Sequence, residues 1–211
     1  MKIGLTFKIK NMKKLILSIA VLSGLAFTTQ AQTEKGNVIL GGSVGFNTSK
    51  AEGASKSDVN FNIVPSVGYF LNDNFAIGTG VGYQYDKSVS TKRQNEAFVV
   101  APFGRYYVGL SNQFKFYGQL SVPMEFGTDK SIDNNGDTGA KIGTTTDIGV
   151  NLAPGFAFYP TKRIGIELSV KGLGYEHTQF KDEATGAKAK NNAFGLNADT
   201  FAPRIGVQFH F

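Results

Sequence analysis

The chain of 211 residues contains no cysteine and no tryptophan, and it has only two histidines. The absence of cysteine excludes a disulfide scaffold, a cysteine-based zinc site and a thiol-dependent enzyme. Charged residues make up 18% of the chain, below the roughly 25% of an average soluble domain. Glycine is abundant, with 26 residues, but the 41% of apolar residues and the lack of a Gly-X-Y repeat exclude a collagen or a disordered chain. The length suits one domain.

The net charge of +6 raises the question of a nucleic-acid partner. Residues 1–31 carry five lysines and no acidic residue, and the rest of the chain holds 17 basic and 16 acidic residues, a net charge of +1. The basicity therefore belongs to the N-terminal segment. Because a nucleic-acid surface needs a basic patch in the working domain, no nucleic-acid partner is expected.

The N-terminal segment has the pattern of an export signal. Lys13 and Lys14 precede an apolar stretch of 13 residues, 15–27, which is followed by small and polar residues suited to a cleavage site. The stretch is shorter than the ~17–25 residues that a membrane-spanning helix needs. We expect a cleavable signal peptide over 1–31 and a mature domain over 32–211. A retained anchor or a buried N-terminal helix is the alternative.

The mature domain alternates between apolar and small or polar residues almost throughout, which predicts β-strands. Most of the alternating segments are longer than the ~5–6 residues of a typical globular strand and match the ~9–11 residues with which a tilted strand crosses a bilayer. Eight such segments are predicted: 37–47, 58–71, 75–87, 96–110, 114–127, 144–159, 164–177 and 196–211.

The two faces of each segment differ in kind, and this difference indicates which face meets lipid. In the fifth segment, Leu120 and Phe126 lie on an apolar face and Gln119 and Glu125 on the other. Across the eight segments the second face is mostly Gly, Ala, Ser and Asn, whereas a water-exposed face would carry many Lys, Glu and Thr. Small residues suit the crowded interior of a narrow barrel. The apolar, aromatic face is therefore expected to contact lipid.

The connections between segments alternate in length. Three tight breaks alternate with longer polar segments, roughly 48–57, 88–95, 128–143 and 178–195. This layout predicts a closed, antiparallel, eight-stranded up-and-down transmembrane β-barrel with both termini on the side of the short turns.

Prolines recur in the four strands that run toward the short turns, at Pro65, Pro102, Pro154 and Pro203. Proline cannot donate a ladder hydrogen bond and is normally absent from central strands. We therefore expect a β-bulge at each proline, which would accommodate the missing donor.

The signal peptide, the four aromatic hairpins and the alternating C-terminal residues Ile205, Val207, Phe209 and Phe211 resemble the small bacterial outer-membrane β-barrel family, the porin-like group that includes OmpX and the membrane domain of OmpA. The resemblance implies a location in the cell outer membrane. It also implies that the barrel-assembly machinery reads the C-terminal residues during biogenesis. An ordinary final strand is the alternative interpretation of these residues.

Five charged residues fall on the face expected to point inward: Arg105, Glu125, Glu167, Lys171 and Arg204. Buried charges are costly unless they are paired, and an eight-stranded barrel has little room inside. We therefore predict a structural polar network in the lumen, with Glu167 in contact with Arg105, Lys171 or Arg204. A narrow, charge-lined path for a solute is the alternative.

The predicted function is that of an integral outer-membrane protein with a non-catalytic structural or surface-interaction role, a filled polar lumen and four extracellular loops. Outer-membrane lipid is the expected partner, an extracellular ligand of the loops cannot be named, and neither a cofactor nor a metal is expected. Porin-like passive transport of a small solute or apolar compound is the alternative. Two further classes stay open: an enzyme at the barrel rim that uses His177 beside Glu176, and a secreted soluble lipid-binding barrel.

Overall fold

The computed structural model describes residues 33–53, 56–197 and 204–211. The expected signal peptide, 1–31, lies outside the described residues. The described residues form eleven β-segments and no helix. The segments are β1 (Val38–Ser49), β2 (Asp58–Asn72), β3 (Phe75–Ser88), β4 (Arg93–Gly109), β5 (Phe114–Ser121), β6 (Met124–Ile132), β7 (Thr138–Phe158), β8 (Ile164–Ser169), β9 (Gly172–Asp182), β10 (Lys188–Asn197) and β11 (Arg204–His210).

These segments form the eight strands of a closed antiparallel barrel, as the alternation predicts. The fifth barrel strand consists of β5 and β6, the seventh of β8 and β9, and the eighth of β10 and β11. Each strand pairs with its neighbours in the sequence, and the barrel closes where Ile39 and Leu40 of β1 pair with His210 and Phe209 of β11. The topology is therefore a meander in which the chain ends beside the strand that begins it.

The apolar face of each strand points outward. Phe46 and Phe194 are 70% and 76% exposed, while the alternate positions, such as Tyr107 and Ala157, are fully buried inside the barrel. Exposed leucine, isoleucine, valine and aromatic side chains follow all eight strands, which gives the barrel an apolar outer band. A band of this kind is what a lipid bilayer requires of a spanning barrel.

The barrel strands extend well beyond this apolar band at the end opposite the short turns. The segments 128–143 and 178–195, expected as polar loops, are mostly paired strand, as is half of 88–95. The turns within these three segments shrink to 89–92, 133–137 and 183–187. The boundaries predicted there were wrong because both faces of a strand become polar above the bilayer. Apolar alternation then ends, although the hydrogen-bond ladder continues.

The prolines interrupt the ladder in a repeated way, and two of them do so without a bulge. Next to Pro65, pairing of β2 with β3 skips Val64 and Pro65 and resumes in the same register. Next to Pro102, the fifth barrel strand breaks between β5 and β6, and both halves keep one register with β4. The Pro102 carbonyl still accepts a hydrogen bond from the Val122 amide at 2.9 Å. The bulges expected at these two prolines are therefore absent, since a gap of two residues is sufficient.

At Pro154 a bulge is present, but it lies on the neighbouring strand. Leu152 pairs with Leu173 and Gly155 with Ser169, so the three residues 170–172 stand opposite the two residues between Leu152 and Gly155. The extra residue is accommodated at Gly172, which has a φ of 70° and whose added Cβ would lie 2.0 Å from the Leu152 carbonyl oxygen. Only glycine fits this position. Pro203 lies outside the described residues.

Candidate functional site: the barrel lumen and the outer rim

The lumen contains a buried layer of side chains at the short-turn end, which we call the plug. It is built from inward-facing residues that are at most 7% exposed, and every barrel strand contributes at least one of them. The plug residues are Ile39, Phe70, Ala76, Arg105, Tyr107, Tyr117, Ala157, Tyr159, Glu167 and His210. Since all eight strands project into the same layer, the plug fills the cross-section of the barrel.

Arg105 is at the centre of the polar contacts in the plug. Its guanidinium forms a salt bridge with the Glu167 carboxylate, and both side chains are less than 10% exposed. Nε and Nη2 also donate to the side-chain oxygen of Gln119 at 2.9 and 2.6 Å, and Nη1 donates to the Tyr107 hydroxyl at 2.9 Å. The Tyr117 hydroxyl donates to the second carboxylate oxygen of Glu167 at 3.3 Å. The buried charges are thus paired and hydrogen-bonded, as burial requires.

Aromatic rings pack around this ion pair. The Arg105 guanidinium carbon lies 4.3 Å from the centre of the Tyr117 ring, within the range of a cation–π interaction. The rings of Phe70 and Tyr107 are 5.5 Å apart, and those of Tyr159 and His210 are 5.2 Å apart in an edge-to-face arrangement. The plug therefore combines an ion pair with a continuous aromatic layer.

Glycines on the inner face provide the space for these rings. A Cβ added at Gly155 would lie 2.4 Å from the Tyr117 ring, and one added at Gly165 would lie 3.1 Å from the Tyr159 ring. The small residues of the inner face therefore have a direct packing role. Opposite the Tyr117 and Tyr159 rings, the barrel wall consists of glycine backbone without a side chain.

Above the plug, toward the extended end, the lumen widens into a cavity of about 770 Å³. Its wall consists mainly of Gly, Ala, Ser, Asn and Gln side chains. Four carboxylates also line it, those of Glu125, Asp147 and Glu176 and, from the plug, that of Glu167. Glu125 stands directly opposite Asp147 in the ladder and accepts a hydrogen bond from the Gln84 amide at 3.0 Å.

The structure places the five residues of the predicted lumen network in separate parts of the barrel. Arg105 and Glu167 meet in the plug, and Glu125 lines the cavity above it. Lys171 lies outside the strands, in the bulge between β8 and β9, where it is exposed at the edge of the cavity. Lys171 therefore lines the cavity, and no carboxylate of the described residues lies within 4.0 Å of its amine. Arg204 begins β11 and pairs with Ser169 through its backbone.

The C-terminal residues lie in the closing strand of the barrel. Ile205, Val207 and Phe209 are exposed on the outer face, and the backbone of Phe211 exchanges two hydrogen bonds with Val38, at 2.8 and 2.9 Å. The last residues of the chain thus contribute directly to closure.

His177 and Glu176 do not form a pair. His177 lies on the outer face of β9, where its Nδ1 is 2.6 Å from the side-chain oxygen of Asn192, whereas Glu176 lines the inner cavity. Neighbouring residues in a strand point to opposite faces, so the barrel wall separates the imidazole from the carboxylate.

Within the described parts of the chain, no three His, Asp or Glu side chains are grouped to hold a metal ion. No helix among the described residues is long and apolar enough to cross a membrane.

Polar contacts connect the turns at the extended end to one another. Lys56, between β1 and β2, forms a salt bridge with Asp137, and this lysine holds the pKa of the Asp137 carboxyl below its usual value. Lys92 donates to the Asn134 side chain at 2.7 Å, and Lys87 donates to the Gly136 carbonyl at 2.8 Å. The turn 133–137 is therefore tied to both of the hairpins that precede it.

Sequence reasoning identified Arg105 and Glu167 but not the rest of the plug. Tyr107 lies two residues from Arg105 on β4, and Tyr117 lies two residues from Gln119 on β5. The alternation along each strand therefore indicates that both tyrosines point inward. Tyr159 is the last residue of the segment predicted over 144–159 and shares the inward parity of Ala157, so the alternation indicated it as well. His210 follows the inward parity of Gln208, but the interpretation of the C-terminus concentrated on its outward residues.

An outer face of apolar side chains, a closed antiparallel meander and a polar, glycine-rich interior together define a transmembrane β-barrel. Residues 17–200 match the family model described as "Outer membrane protein beta-barrel domain", and the chain belongs to this family. The protein is therefore an outer-membrane protein. Outer-membrane barrels in general have short periplasmic turns and longer extracellular loops.

Several solved outer-membrane proteins are similar to this chain. OprG from Pseudomonas aeruginosa is 15% identical, with 87% of this chain and 99% of that chain covered at a TM-score of 0.49. Neisserial surface protein A is 17% identical, with 84% and 98% covered at a TM-score of 0.43. Ail, the attachment invasion locus protein of Yersinia pestis, is 13% identical, with 84% and 99% covered at a TM-score of 0.41. A comparison with curated proteins gave no match.

Proposed function

We propose that this protein is a non-catalytic outer-membrane barrel with a sealed lumen, whose role is structural or in surface interaction. The plug carries the proposal. Its ion pair and aromatic rings occupy the lumen on the periplasmic side, and all eight strands contribute to it. Barrels that conduct solutes freely have ~16–18 strands and a water-filled lumen, whereas an eight-stranded barrel is just wide enough for its side chains.

The extracellular end is the part that remains available for interaction. The contacts of the turn 133–137 with Lys56, Lys87 and Lys92 hold the outer hairpins in a defined arrangement. Loops that are held on a rigid scaffold are the usual position of binding residues. The separation of His177 from Glu176 supports a role without catalysis at the rim.

We also propose that the barrel-assembly machinery reads the C-terminal strand. The exposed outer positions Ile205, Val207 and Phe209 and the hydrogen-bonded end at Phe211 support this partner. A strand that has not yet paired with Val38–Leu40 presents an open edge that another protein can recognise.

Passive transport is the second candidate function, and the cavity of about 770 Å³ above the plug favours it. A solute that enters this cavity from outside would still meet the plug before the periplasm. Transport through the lumen therefore requires that the plug opens.

Conductance of the full-length mature protein in planar bilayers tests the proposal. We expect no ion conductance from the wild type, and we expect Arg105→Ala combined with Tyr107→Ala and Tyr117→Ala to conduct, because these truncations open the plug. Gly118→Ala, on the lipid face, is the matched control and should stay closed, since nothing lies within 4 Å of an added Cβ there. Steady conductance of the wild type would refute the sealed lumen and favour transport.

A further inference from the structure

The outer face of the β9–β10 hairpin changes character with height. Tyr175 and Phe194 pair across the two strands and are 44% and 76% exposed in the apolar band. The next outward pair is His177 with Asn192. The Asn192 side-chain oxygen lies 3.0 Å from the Tyr175 hydroxyl, which donates to it, and 2.6 Å from Nδ1 of His177. Aromatic rings with polar tips mark the membrane–water interface of a barrel, so this level is the border of the outer leaflet.

Three lysines lie on the same face just above this border. Lys190 pairs with Gln179, and Lys188 stands directly opposite Lys181. All three lysines are exposed. We call Lys181, Lys188 and Lys190 the lysine patch. Like charges directly opposite each other destabilise a sheet, so this arrangement costs the hairpin free energy unless an anion neutralises it.

The lysine patch has no acidic partner in the described parts of the chain, where none of its amines lies within 4.0 Å of a carboxylate. Two other outward lysines show the contrast, one on β6 and one on β7, the strand beside β9. Lys130 forms a salt bridge with Glu96 at 2.8 Å, and Lys141 forms one with Glu183 at 2.8 Å. These two outward lysines are thus neutralised, whereas the lysine patch is left positive.

The height of the patch fits the headgroup layer of the outer leaflet. Lys190 lies four residues beyond Phe194, which at ~3.4 Å per residue is about 14 Å along the strand. A strand tilt of about 40° reduces this to about 10 Å along the membrane normal. The headgroup layer is about 5–8 Å thick, and lysine side chains bend back toward it. The amine of Lys190 therefore reaches the level where lipid phosphates lie, and the amines of Lys181 and Lys188, one outward position further along the strands, reach it by bending back toward the membrane.

We propose that the lysine patch binds the phosphate groups of an outer-leaflet lipid, with the acyl chains of that lipid against Tyr175 and Phe194. Charge complementarity selects an anionic headgroup, and two or more phosphates on one headgroup match the three amines better than a single phosphodiester does. The patch makes the extracellular hairpin a lipid-binding site on the outside of the barrel. This inference rests on the outer-membrane location and is independent of whether the lumen is sealed.

Native mass spectrometry of the full-length mature protein in detergent tests the proposal with diphosphoryl lipid A as the probe. The triple variant Lys181→Gln, Lys188→Gln and Lys190→Gln should bind this lipid on the order of 100-fold more weakly, since each basic residue contributes roughly a factor of 5. The corresponding triple arginine variant should retain binding. Dephosphorylated lipid A should bind the wild type as weakly as the phosphorylated lipid binds the triple glutamine variant.

The matched control removes three other exposed lysines, Lys35→Gln, Lys50→Gln and Lys162→Gln, with the same change in net charge. This control should retain lipid binding. Three results would overturn the proposal: an equal loss of binding in the control, unchanged affinity in the triple glutamine variant, or equal binding of the dephosphorylated lipid to the wild type. It would also be overturned if inorganic phosphate alone bound the wild type as tightly as the lipid does. If the triple glutamine variant does not fold, as judged by its mobility in SDS without boiling, each single variant should still show a loss of about 5-fold.

Discussion

The Arg105–Glu167 pair allows a quantitative test of how the plug stabilises the barrel. Both side chains are less than 10% exposed, and each is hydrogen-bonded to further plug residues. Removal of one partner leaves the other as an uncompensated buried charge, which costs about 3–5 kcal/mol in known cases. We therefore expect Arg105→Met and Glu167→Leu each to lower the free energy of unfolding by this amount. The double variant should lose far less, because it buries no charge.

The measurement is a double-mutant cycle from urea unfolding in phospholipid vesicles, followed by mobility in SDS gels. The expected coupling energy is about 3 kcal/mol or more. The pair of Glu96 and Lys130 is the control, since its 2.8 Å salt bridge lies on the outer face with 30% of each side chain exposed. Exposed pairs contribute about 0–1 kcal/mol, so Lys130→Met and Glu96→Leu should couple within that range.

Two results would refute this reasoning. Single substitutions at Arg105 or Glu167 that cost less than about 1 kcal/mol would show that water from the cavity solvates the remaining charge. A double variant as unstable as the sum of its singles would show that the pair contributes through packing alone.

Two further predictions concern packing and pH. Gly155→Ala should destabilise the barrel by about 1–3 kcal/mol in urea unfolding, because the new methyl group would lie 2.4 Å from the Tyr117 ring. Gly118→Ala, with open space around its Cβ, should change stability by less than about 0.5 kcal/mol; equal effects would contradict the role of Gly155. Since Lys56 lowers the pKa of Asp137, the contact between them is complete above the ordinary aspartate pKa of about 3.9 and is lost as the pH falls below it. NMR relaxation of residues 134–136 should therefore be constant from pH 7 to about 5 and show increased motion only in stronger acid; increased motion already at pH 6 would contradict this assignment.

The part of the fold inside the membrane was readable from the sequence because one physical demand dominates there. Outward residues must be apolar and inward residues small, so a strand such as β3 alternates from Phe75 to Tyr83, with Thr79 as the one polar residue at an outward position. Above the bilayer both faces meet polar surroundings, and β4 was therefore expected to begin at residue 96, three residues after its start at Arg93. The backbone there is still paired with its neighbours, but the side chains no longer alternate and so do not indicate a strand.

The plug was only partly readable for a different reason. Parity assigned Arg105 and Glu167 to the lumen, but parity along one strand does not determine height relative to the other strands. Lys171 illustrates the limit, because it shares the inward parity of Glu167 but lies in the cavity wall and forms no ion pair with that residue. The lysine patch cannot be predicted from the sequence, since Lys181 and Lys188 lie seven residues apart in the polar segment 178–195, where no alternation indicates strands. Only the register of β9 with β10 brings them opposite each other.

The size of the inward residues along a strand indicates which half of the lumen is closed. On β4 these residues increase in size from Ala101 through Phe103 to Arg105 and Tyr107, in the direction of the short turn. The cavity surrounds the small end of this series, and the plug occupies the large end. An eight-stranded barrel has a nearly constant inner width, so the side chains alone decide where it is filled. The same gradient leaves the cavity toward the extended end of the barrel, where the carboxylates of Glu125, Asp147 and Glu176 line its wall.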